Sequence, residues 1–304
     1  MITEAPDFTK VIIVGAGAIG SYYGYMLSRS SDVLLIGRRE HVDAVNSGGL
    51  EVTGAVEGTS NLDASTELSG IPEKSLIVLT TKAYDTEEAV KGFRGLLRPD
   101  TAILVLQNGL GNEELVQSLV GPDVDVVRGL ASTGVEFPSP GRIEVKLVRQ
   151  TVLPKTATGE RIERLFASCG LDARLSERMD VEVWRKLAMN CVINPLTALF
   201  RVPNTEIAVE GLREVRRGIV DECVSVSERE GVVLEGDLEE EIAKAAASYS
   251  NISSMCQDVK KGRRTEIGFL NGKVSELGRR HGVATPVNDV LTSLIRFMEG
   301  KKWS

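Results

Sequence analysis

Short, continuously apolar segments alternate with helical patterns along the first half of the chain. Strands are predicted at 10–14, 32–36, 75–80, 102–106 and 124–127, and helices at 18–28, 86–94 and 112–119. This alternation is typical of a parallel sheet that is covered by helices on both faces. Apolar and polar residues alternate over 143–148, after Pro138, Pro140 and Gly141, which predicts antiparallel strands there. A helix at 159–169 and a strand at 171–175 complete this half.

The second half of the chain has a different pattern. From residue 180 onward the strand signals end, and helices are predicted at 180–200, 205–231, 238–249 and 265–282, the last with Thr265 as its N-cap. A length of 304 residues suits two domains. The sequence therefore predicts a Rossmann-type α/β domain over residues 1–178 and an all-helical domain over residues 179–304.

Composition narrows the classes of function. The net charge of −7 argues against a general nucleic-acid binder, which needs a clustered positive excess. No apolar run is long enough to span a membrane, and the acidic residues 1–7 do not resemble a signal peptide, so we expect a cytoplasmic protein. The four cysteines are far apart and predict buried thiols rather than disulfides or a metal site; they are Cys169, Cys191, Cys223 and Cys256.

The two histidines, His41 and His281, lie in polar sequence contexts and are expected to be surface residues. If the protein carries out proton chemistry, we therefore expect a lysine or a carboxylate to do it rather than histidine.

A glycine-rich loop follows the first strand and opens the first helix. It has the pattern G-x-G-x-x-G and consists of Gly15, Ala16, Gly17, Ala18, Ile19 and Gly20. The first glycine permits a tight turn, the second lets the backbone approach a pyrophosphate, and the third lets helix and strand pack closely. The helix N-terminus adds partial positive charge near the phosphates. The pattern predicts a dinucleotide site.

The end of the second strand distinguishes between the two nicotinamide dinucleotides. NAD enzymes usually have a carboxylate there, which accepts hydrogen bonds from the ribose 2′-hydroxyl. This chain has Arg38 and Arg39 instead, and an arginine can bind a 2′-phosphate through a bidentate contact. The alternative is that both arginines are solvated loop charges. We favour NADP(H), with Arg38 as the 2′-phosphate ligand and Arg39 as the other candidate.

A polar stripe crosses the apolar helical segment 184–194. Lys186, Asn190 and Asn194 are spaced four residues apart, so they share one helix face. Buried amide and ammonium groups are costly without partners. The stripe therefore belongs either to a structural hydrogen-bond network, with the lysine reaching solvent, or to the wall of a cleft that binds a polar ligand.

Four further polar residues are candidates for the same site. Ser254 opens a short helical stretch, and Glu266 lies at a predicted helix start, where the helix dipole alone explains a carboxylate. Lys82 and Asn108 each follow a predicted strand, at the sheet edge where open α/β sheets bind ligands.

Together these residues resemble the ketopantoate reductase (2-dehydropantoate 2-reductase) family from Val11 to about Glu299. The segments that carry the resemblance are GAGAIGSYYG, GRREHVDAVNSGGL, TTKAYDT, LQNGLGNEE, VWRKLAMNCVINPLTAL and NISSMCQDVKKGRRTEI, of which the last two are the most specific. Two departures occur: a charged segment follows Gly141 where the family has a glycine-rich one, and Gly268 replaces the family's usual aspartate.

The resemblance implies NADPH-dependent reduction of 2-dehydropantoate to pantoate, in pantothenate and coenzyme A biosynthesis. It implies an NADP-binding first domain and a substrate-binding, catalytic second domain without a metal, and a homodimer is the candidate assembly. The implied catalytic residues are Lys186, as general acid, and Glu266; the implied substrate ligands are Asn190, Asn194 and Ser254; Asn108 and Lys82 bridge cofactor and substrate. The alternatives are a reductase of another 2-oxo acid and a non-catalytic dinucleotide sensor.

Overall fold

The computed structural model describes residues 7–248 and 250–301. The described residues divide into two compact units, one within 7–107 and 111–177 and one within 108–110 and 178–301. Residues 1–6 of the acidic N-terminus, on which the prediction against a signal peptide rests, lie outside the described residues. Within the described ranges, no helix is long and apolar enough to cross a membrane.

The first unit alternates strands and helices. Its strands are β1 (Lys10–Val14), β2 (Val33–Ile36), β3 (Leu50–Gly54), β4 (Gly58–Ser60), β5 (Asp63–Ser65), β6 (Ser75–Leu79), β7 (Ala102–Val105), β8 (Asp125–Arg128), β9 (Gly134–Ser139), β10 (Arg142–Leu147), β11 (Thr151–Pro154) and β12 (Ala173–Ser176). Its helices are α1 (Ala18–Leu27), α2 (Arg39–Gly48), α3 (Thr86–Lys91), α4 (Asn112–Val120) and α5 (Ala157–Ser168), with 3-10 turns at Ala83–Asp85 and Arg94–Leu96.

Six parallel strands form the main sheet, in the order β5-β2-β1-β6-β7-β8. The chain runs outward from β1 on one side and then returns to β6 on the other, so the strand order reverses between β1 and β6. Val14 and Leu79 pair at the carboxyl ends of these strands. Such a reversal opens a crevice at this edge of the sheet, which is where open α/β sheets bind ligands. The predicted parallel-sheet domain is confirmed.

The core of this unit has two parts because successive strand residues point to opposite faces of the sheet. Ile13 and Val78 belong to one buried cluster, and their neighbours Ile12 and Ile77 belong to the other. Helices therefore cover both faces, and continuous apolar strands are the result.

A second sheet has the order β4-β3-β10-β9. The antiparallel pairing of β9 with β10 confirms the prediction for residues 143–148, whereas β10 pairs in parallel with β3. The sequence analysis did not predict β3, β4 or β5. Strand β11 pairs in parallel with β12.

The burial of His41 corrects an expectation: its side chain lies in the interior and not on the surface. Nδ1 accepts a hydrogen bond from the Gly141 N–H at 2.9 Å, and Nε2 lies 3.0 Å from the Ser21 hydroxyl. Since Nδ1 accepts, the neutral ring carries its proton on Nε2 and donates it to Ser21. Burial lowers the pKa of His41. His281 is partly buried and contacts Glu230.

The second unit is helical, as predicted. Its helices are α6 (Met179–Phe200), α7 (Arg213–Arg229), α8 (Leu238–Ala247), α9 (Ser254–Lys260), α10 (Asn271–His281) and α11 (Pro286–Met298), with 3-10 turns at Asn204–Ala208, Glu210–Leu212 and Ile267–Phe269. These helices enclose one apolar core, which includes the buried thiols of Cys191, Cys223 and Cys256, while Cys169 is buried in the first unit. The prediction of buried thiols is confirmed.

Three predicted helices in this unit need correction. The helix predicted over 205–231 begins as two 3-10 turns and becomes α-helical only at Arg213. The helix predicted over 265–282 begins at Asn271, and Thr265 is not its N-cap. The helix predicted over 238–249 ends at Ala247, and Tyr249 lies outside the described residues. Helix α11 was not predicted.

Candidate active site

The glycine loop has the geometry that a dinucleotide site requires. Gly15 has a φ of +108°, and a Cβ there would lie 2.5 Å from the Thr81 nitrogen. A Cβ on Gly20 would lie 2.2 Å from the Gly15 carbonyl oxygen, whereas a Cβ on Gly17 would meet no atom of the described residues within 4 Å. The outer two glycines therefore let the loop pack tightly, and the middle one faces open space that a pyrophosphate can occupy. The residues present fit a dinucleotide.

The first turn of α1 adds to this fit. The first intrahelical bond runs from the Ser21 N–H to the Gly17 carbonyl, so the amides of Ala18 and Ile19 lie before the helical ladder begins. The first turn contains no acidic residue that would repel a phosphate. Helix N-termini of this kind favour anions.

The end of β6 is joined both to the glycine loop and to the end of β7. The Thr80 hydroxyl donates to the Gly15 carbonyl at 2.9 Å. The buried Gln107 amide donates to the Thr81 carbonyl at 2.9 Å and to the Lys82 carbonyl at 3.4 Å. These bonds fix the backbone of Lys82, whose side chain is partly buried at the sheet edge where the strand order reverses.

Arg38 lies at the mouth of a second helix. It is the N-cap residue of α2, two residues after the end of β2, and its side chain and that of Arg39 are exposed. A Cβ on Gly37 would lie 2.8 Å from the Ala16 Cβ, so the chain at Arg38 runs close against the glycine loop. A guanidinium and a helix N-terminus at one point both favour an anion such as a phosphate.

Helix α6 carries the polar stripe of the second unit. Lys186 and Asn190 are partly buried and Asn194 is buried, at successive turns of a single helix. The stripe follows directly from the four-residue spacing in the sequence.

A pocket in the second unit brings three of the predicted residues together. Asn194 of α6, Ser254 of α9 and Glu266 line it, with Asp258, Met255 and Leu270. Asn194, Asp258 and Glu266 are buried, while Ser254 is exposed. The lining of the pocket thus combines an amide, a hydroxyl and two carboxylates. The role of each residue remains a prediction.

The neighbouring Ser253 explains how Ser254 is held. Ser253 is the N-cap of α9 and accepts a hydrogen bond from the Cys256 N–H at 3.1 Å. Its hydroxyl also lies 2.7 Å from the Thr197 hydroxyl on α6. The buried serine therefore ties α9 to α6, and the exposed one is left to face the pocket.

The position of Glu266 depends on tertiary contacts and not on the helix start that the sequence predicted. Both the N–H and the hydroxyl of Thr265 donate to the Glu299 carboxylate, at 2.9 and 2.6 Å. Glu266 then caps the 3-10 turn Ile267–Phe269, and its carbonyl accepts from the Phe269 N–H. These bonds hold the backbone of Glu266 before the turn, where the residue is buried.

Asn108 belongs to the helical unit although it follows β7 in sequence. The Leu110 N–H donates to the Phe269 carbonyl at 3.3 Å, and a Cβ on Gly109 would lie 2.4 Å from that oxygen. The 108–110 segment therefore lies against the turn that follows Glu266.

Sequence reasoning missed Asp258, Thr80 and Gln107. The signal for Asp258 was its position four residues after Ser254, which places both on one face of α9. Thr80 directly follows β6, and Gln107 lies two residues after β7, so both are polar residues near the carboxyl ends of buried strands.

Comparison with known proteins identifies the family of this chain. Residues 11–157 match the family described as "Ketopantoate reductase PanE/ApbA", and residues 178–299 match its C-terminal domain. A protein of Pyrococcus horikoshii named 2-dehydropantoate 2-reductase is 33% identical over 298 residues, which cover 95% of this chain and 97% of that protein. A protein of the same name from Streptococcus pyogenes serotype M3 is also 33% identical, over 307 residues, 95% of this chain and 97% of that protein.

Two solved structures are similar over nearly the whole chain. The PanE/ApbA family ketopantoate reductase of Ralstonia eutropha JMP134 has a TM-score of 0.90 at 32% identity. The match covers 96% of this chain and 99% of that protein's chain. A D-mandelate dehydrogenase, solved with NADH and anilino(oxo)acetate, has a TM-score of 0.88 at 29% identity. The match covers 95% of this chain and 98% of that protein's chain. This chain belongs to the ketopantoate reductase family of oxidoreductases.

Proposed function

We propose that this protein is an NADPH-dependent 2-dehydropantoate 2-reductase, which reduces the C2 ketone of ketopantoate to the hydroxyl of pantoate for pantothenate and coenzyme A biosynthesis. The observation that carries the proposal is the pocket of the helical unit, where Asn194, Ser254 and Glu266 lie together. Relatives that cover nearly the whole chain carry the same name. In this proposal residues 1–178 hold the dinucleotide, and residues 179–304 supply the substrate-binding and catalytic groups.

The proposed cofactor site uses the glycine loop for the pyrophosphate and Arg38 for the 2′-phosphate. The open space at Gly17 supports the first assignment, and the position of Arg38 at the N-terminus of α2 supports the second. A related structure was solved with NADH, so a nicotinamide dinucleotide is the general expectation and the preference for NADPH rests on Arg38. A bound reduced nicotinamide supplies the hydride that adds to the ketone carbon.

The proposed proton donor is Lys186. Its ammonium group stabilises the negative charge that develops on the ketone oxygen and then donates the proton that completes the hydroxyl. The buried carboxylate of Glu266 is expected to act on the protonation of the lysine. The amides of Asn190 and Asn194 and the hydroxyl of Ser254 are expected to bind the carboxylate and hydroxyl ends of the substrate, and Asn108 and Lys82 to border both ligands.

The test is NADPH oxidation by the purified protein with ketopantoate and with a panel of other 2-oxo acids. We expect oxidation to depend on ketopantoate, and Lys186→Ala to abolish turnover while NADPH still binds. Lys244→Ala is the matched control, because Lys244 lies on the exposed surface of α8 and pairs with Glu240. A wild-type protein that binds NADPH and reduces no 2-oxo acid would favour the dinucleotide sensor instead.

A second candidate is reduction of another 2-oxo acid on the same scaffold. The similarity to the D-mandelate dehydrogenase supports it, because that structure contains NADH and anilino(oxo)acetate. Higher kcat/KM for phenylglyoxylate or a short 2-oxo acid than for ketopantoate would select this alternative.

A further inference from the structure

Helix α6 contains a proline in its interior, one residue after Asn194. Proline has no backbone N–H, so Pro195 leaves the carbonyl of Cys191, four residues earlier, without its helical hydrogen bond. This missing bond lies within the turns that carry Asn190 and Asn194. The helix core here is buried, and an unsatisfied carbonyl is costly in such surroundings.

Asn271 supplies the missing donor. Its amide nitrogen donates to the Cys191 carbonyl oxygen at 2.9 Å, across 80 residues of sequence. Asn271 is fully buried at the start of α10, and its own amide oxygen has no hydrogen-bond partner among the residues that the structure describes. A buried asparagine with an unsatisfied oxygen is expensive to keep. Its value to the fold therefore lies in what its nitrogen donates.

The orientation of the Asn271 amide is fixed by two further side chains. The second proton of its nitrogen goes to the Asn288 oxygen, at 2.9 Å. The Asn288 nitrogen in turn donates to the Glu222 carboxylate at 2.6 Å and to the Ile219 carbonyl at 3.4 Å. Because a carboxylate and a carbonyl can only accept here, Asn288 must direct its nitrogen to them and its oxygen to Asn271. The chain of bonds from α7 through α11 and α10 thus ends with a donor directed at α6.

We propose that Asn271 is a positioning residue for the 2-oxo acid site: its amide replaces the hydrogen bond that Pro195 removes and so fixes the turns of α6 that present Asn190 and Asn194. The proposal rests on the proposed function for the identity of the ligand, but not for the hydrogen-bond replacement. Asn271 touches no substrate in this scheme and acts through the α6 backbone.

The first test is a double-mutant cycle on stability with Asn271→Leu and Pro195→Ala, followed by urea unfolding. Pro195→Ala restores an N–H to the helix at the required position, so it should reduce the loss of stability caused by Asn271→Leu by half or more. Asn204→Leu is the matched control: Asn204 is also buried, and its amide oxygen has no hydrogen-bond partner among the described residues, but its amide nitrogen donates to Asn251 at 2.6 Å. Its effect should be the same in both backgrounds.

The second test is steady-state kinetics of the same variants with ketopantoate and NADPH. We expect Asn271→Leu to raise the KM for ketopantoate at least tenfold, to change the KM for NADPH less than twofold, and to be rescued at least threefold by Pro195→Ala. If Asn271→Leu alone does not fold, folding and substrate binding by the double variant support the proposal.

Additive effects on both stability and KM, or a double variant that also fails to fold, would overturn the proposal. If the wild type reduces no 2-oxo acid, the proposed function fails, while the stability cycle still decides whether Asn271 replaces the bond that Pro195 removes.

Discussion

Alanine substitutions in the glycine loop separate cofactor binding from stability, because the three glycines have different surroundings. A Cβ on Gly20 would lie 2.2 Å from the Gly15 carbonyl oxygen and 2.6 Å from the Thr80 hydroxyl, so backbone atoms would have to move. Overpacking of this kind costs roughly 1–3 kcal/mol. A Cβ on Gly17 would have no neighbour within 4 Å in the part of the chain that the structure describes, and its φ of −85° is one that alanine also adopts. Gly17→Ala should therefore leave the unfolding free energy unchanged or raise it by up to about 1 kcal/mol.

Binding should respond in the opposite way. If the open space beside Gly17 is where a pyrophosphate approaches the backbone, a methyl group there blocks it, and the Kd for NADPH should rise at least about tenfold, or about 1.4 kcal/mol. Urea unfolding measures the free energy of unfolding, and titration of NADPH fluorescence measures the Kd for NADPH. Gly20→Ala serves as the comparison, with lowered stability. Unchanged NADPH affinity in a folded Gly17→Ala variant would refute the assignment of the loop as the pyrophosphate site.

Three further changes test other parts of the first and second units. Arg38→Ala should weaken NADPH binding by roughly 1–3 kcal/mol and leave NADH binding nearly unaffected. The same titrations on Arg39→Ala decide which arginine binds the 2′-phosphate. An equal loss of affinity for both cofactors in Arg38→Ala would contradict the assignment to Arg38. Burial lowers the pKa of His41, so protonation favours the unfolded chain and stability should fall as the pH drops below about 6.5. The midpoint of urea unfolding should therefore depend less on pH in His41→Gln than in the wild type. Identical pH profiles would assign the acid sensitivity to other groups. A Cβ on Gly268 would be in ordinary contact with the exposed Arg296 guanidinium, at 3.5 Å. Gly268→Asp should therefore stabilise the protein by at most about 1 kcal/mol through an ion pair with Arg296, and high salt should remove this gain. A large destabilisation would contradict this prediction.

Elements with a strong local pattern could be predicted from the sequence, and elements that depend on distant partners could not. The central strands were predictable because they are buried on both faces and therefore continuously apolar. Strand β5, by contrast, is a short polar edge strand, recognisable only through its pairing with β2. Helix α11 begins with proline, which is a helix-start signal, but Val290, Leu294 and Phe297 on its exposed side blur the one-sided pattern.

Errors at single residues have the same origin. Thr265 had the local features of an N-cap, yet Glu299, 34 residues later, binds its N–H and its hydroxyl and delays the helix to Asn271. His41 has polar neighbours in sequence, but its side chain is buried and accepts a hydrogen bond from the N–H of Gly141, 100 residues later in the sequence. Tertiary contacts of this kind override local propensity.

The candidate site shows how far a sequence can specify such contacts. The stripe of Lys186, Asn190 and Asn194 was visible because all three residues lie on one helix, where spacing alone determines the shared face. The requirement met by Asn271 was also implicit in the sequence, because a proline inside a helical pattern necessarily leaves a carbonyl four residues earlier without its partner. The identity of the donor was not implicit, since it reaches Cys191 from another helix through an amide whose orientation depends on Asn288. A polar residue that is fully buried and half satisfied is therefore best interpreted by finding the backbone group that would otherwise lack a partner.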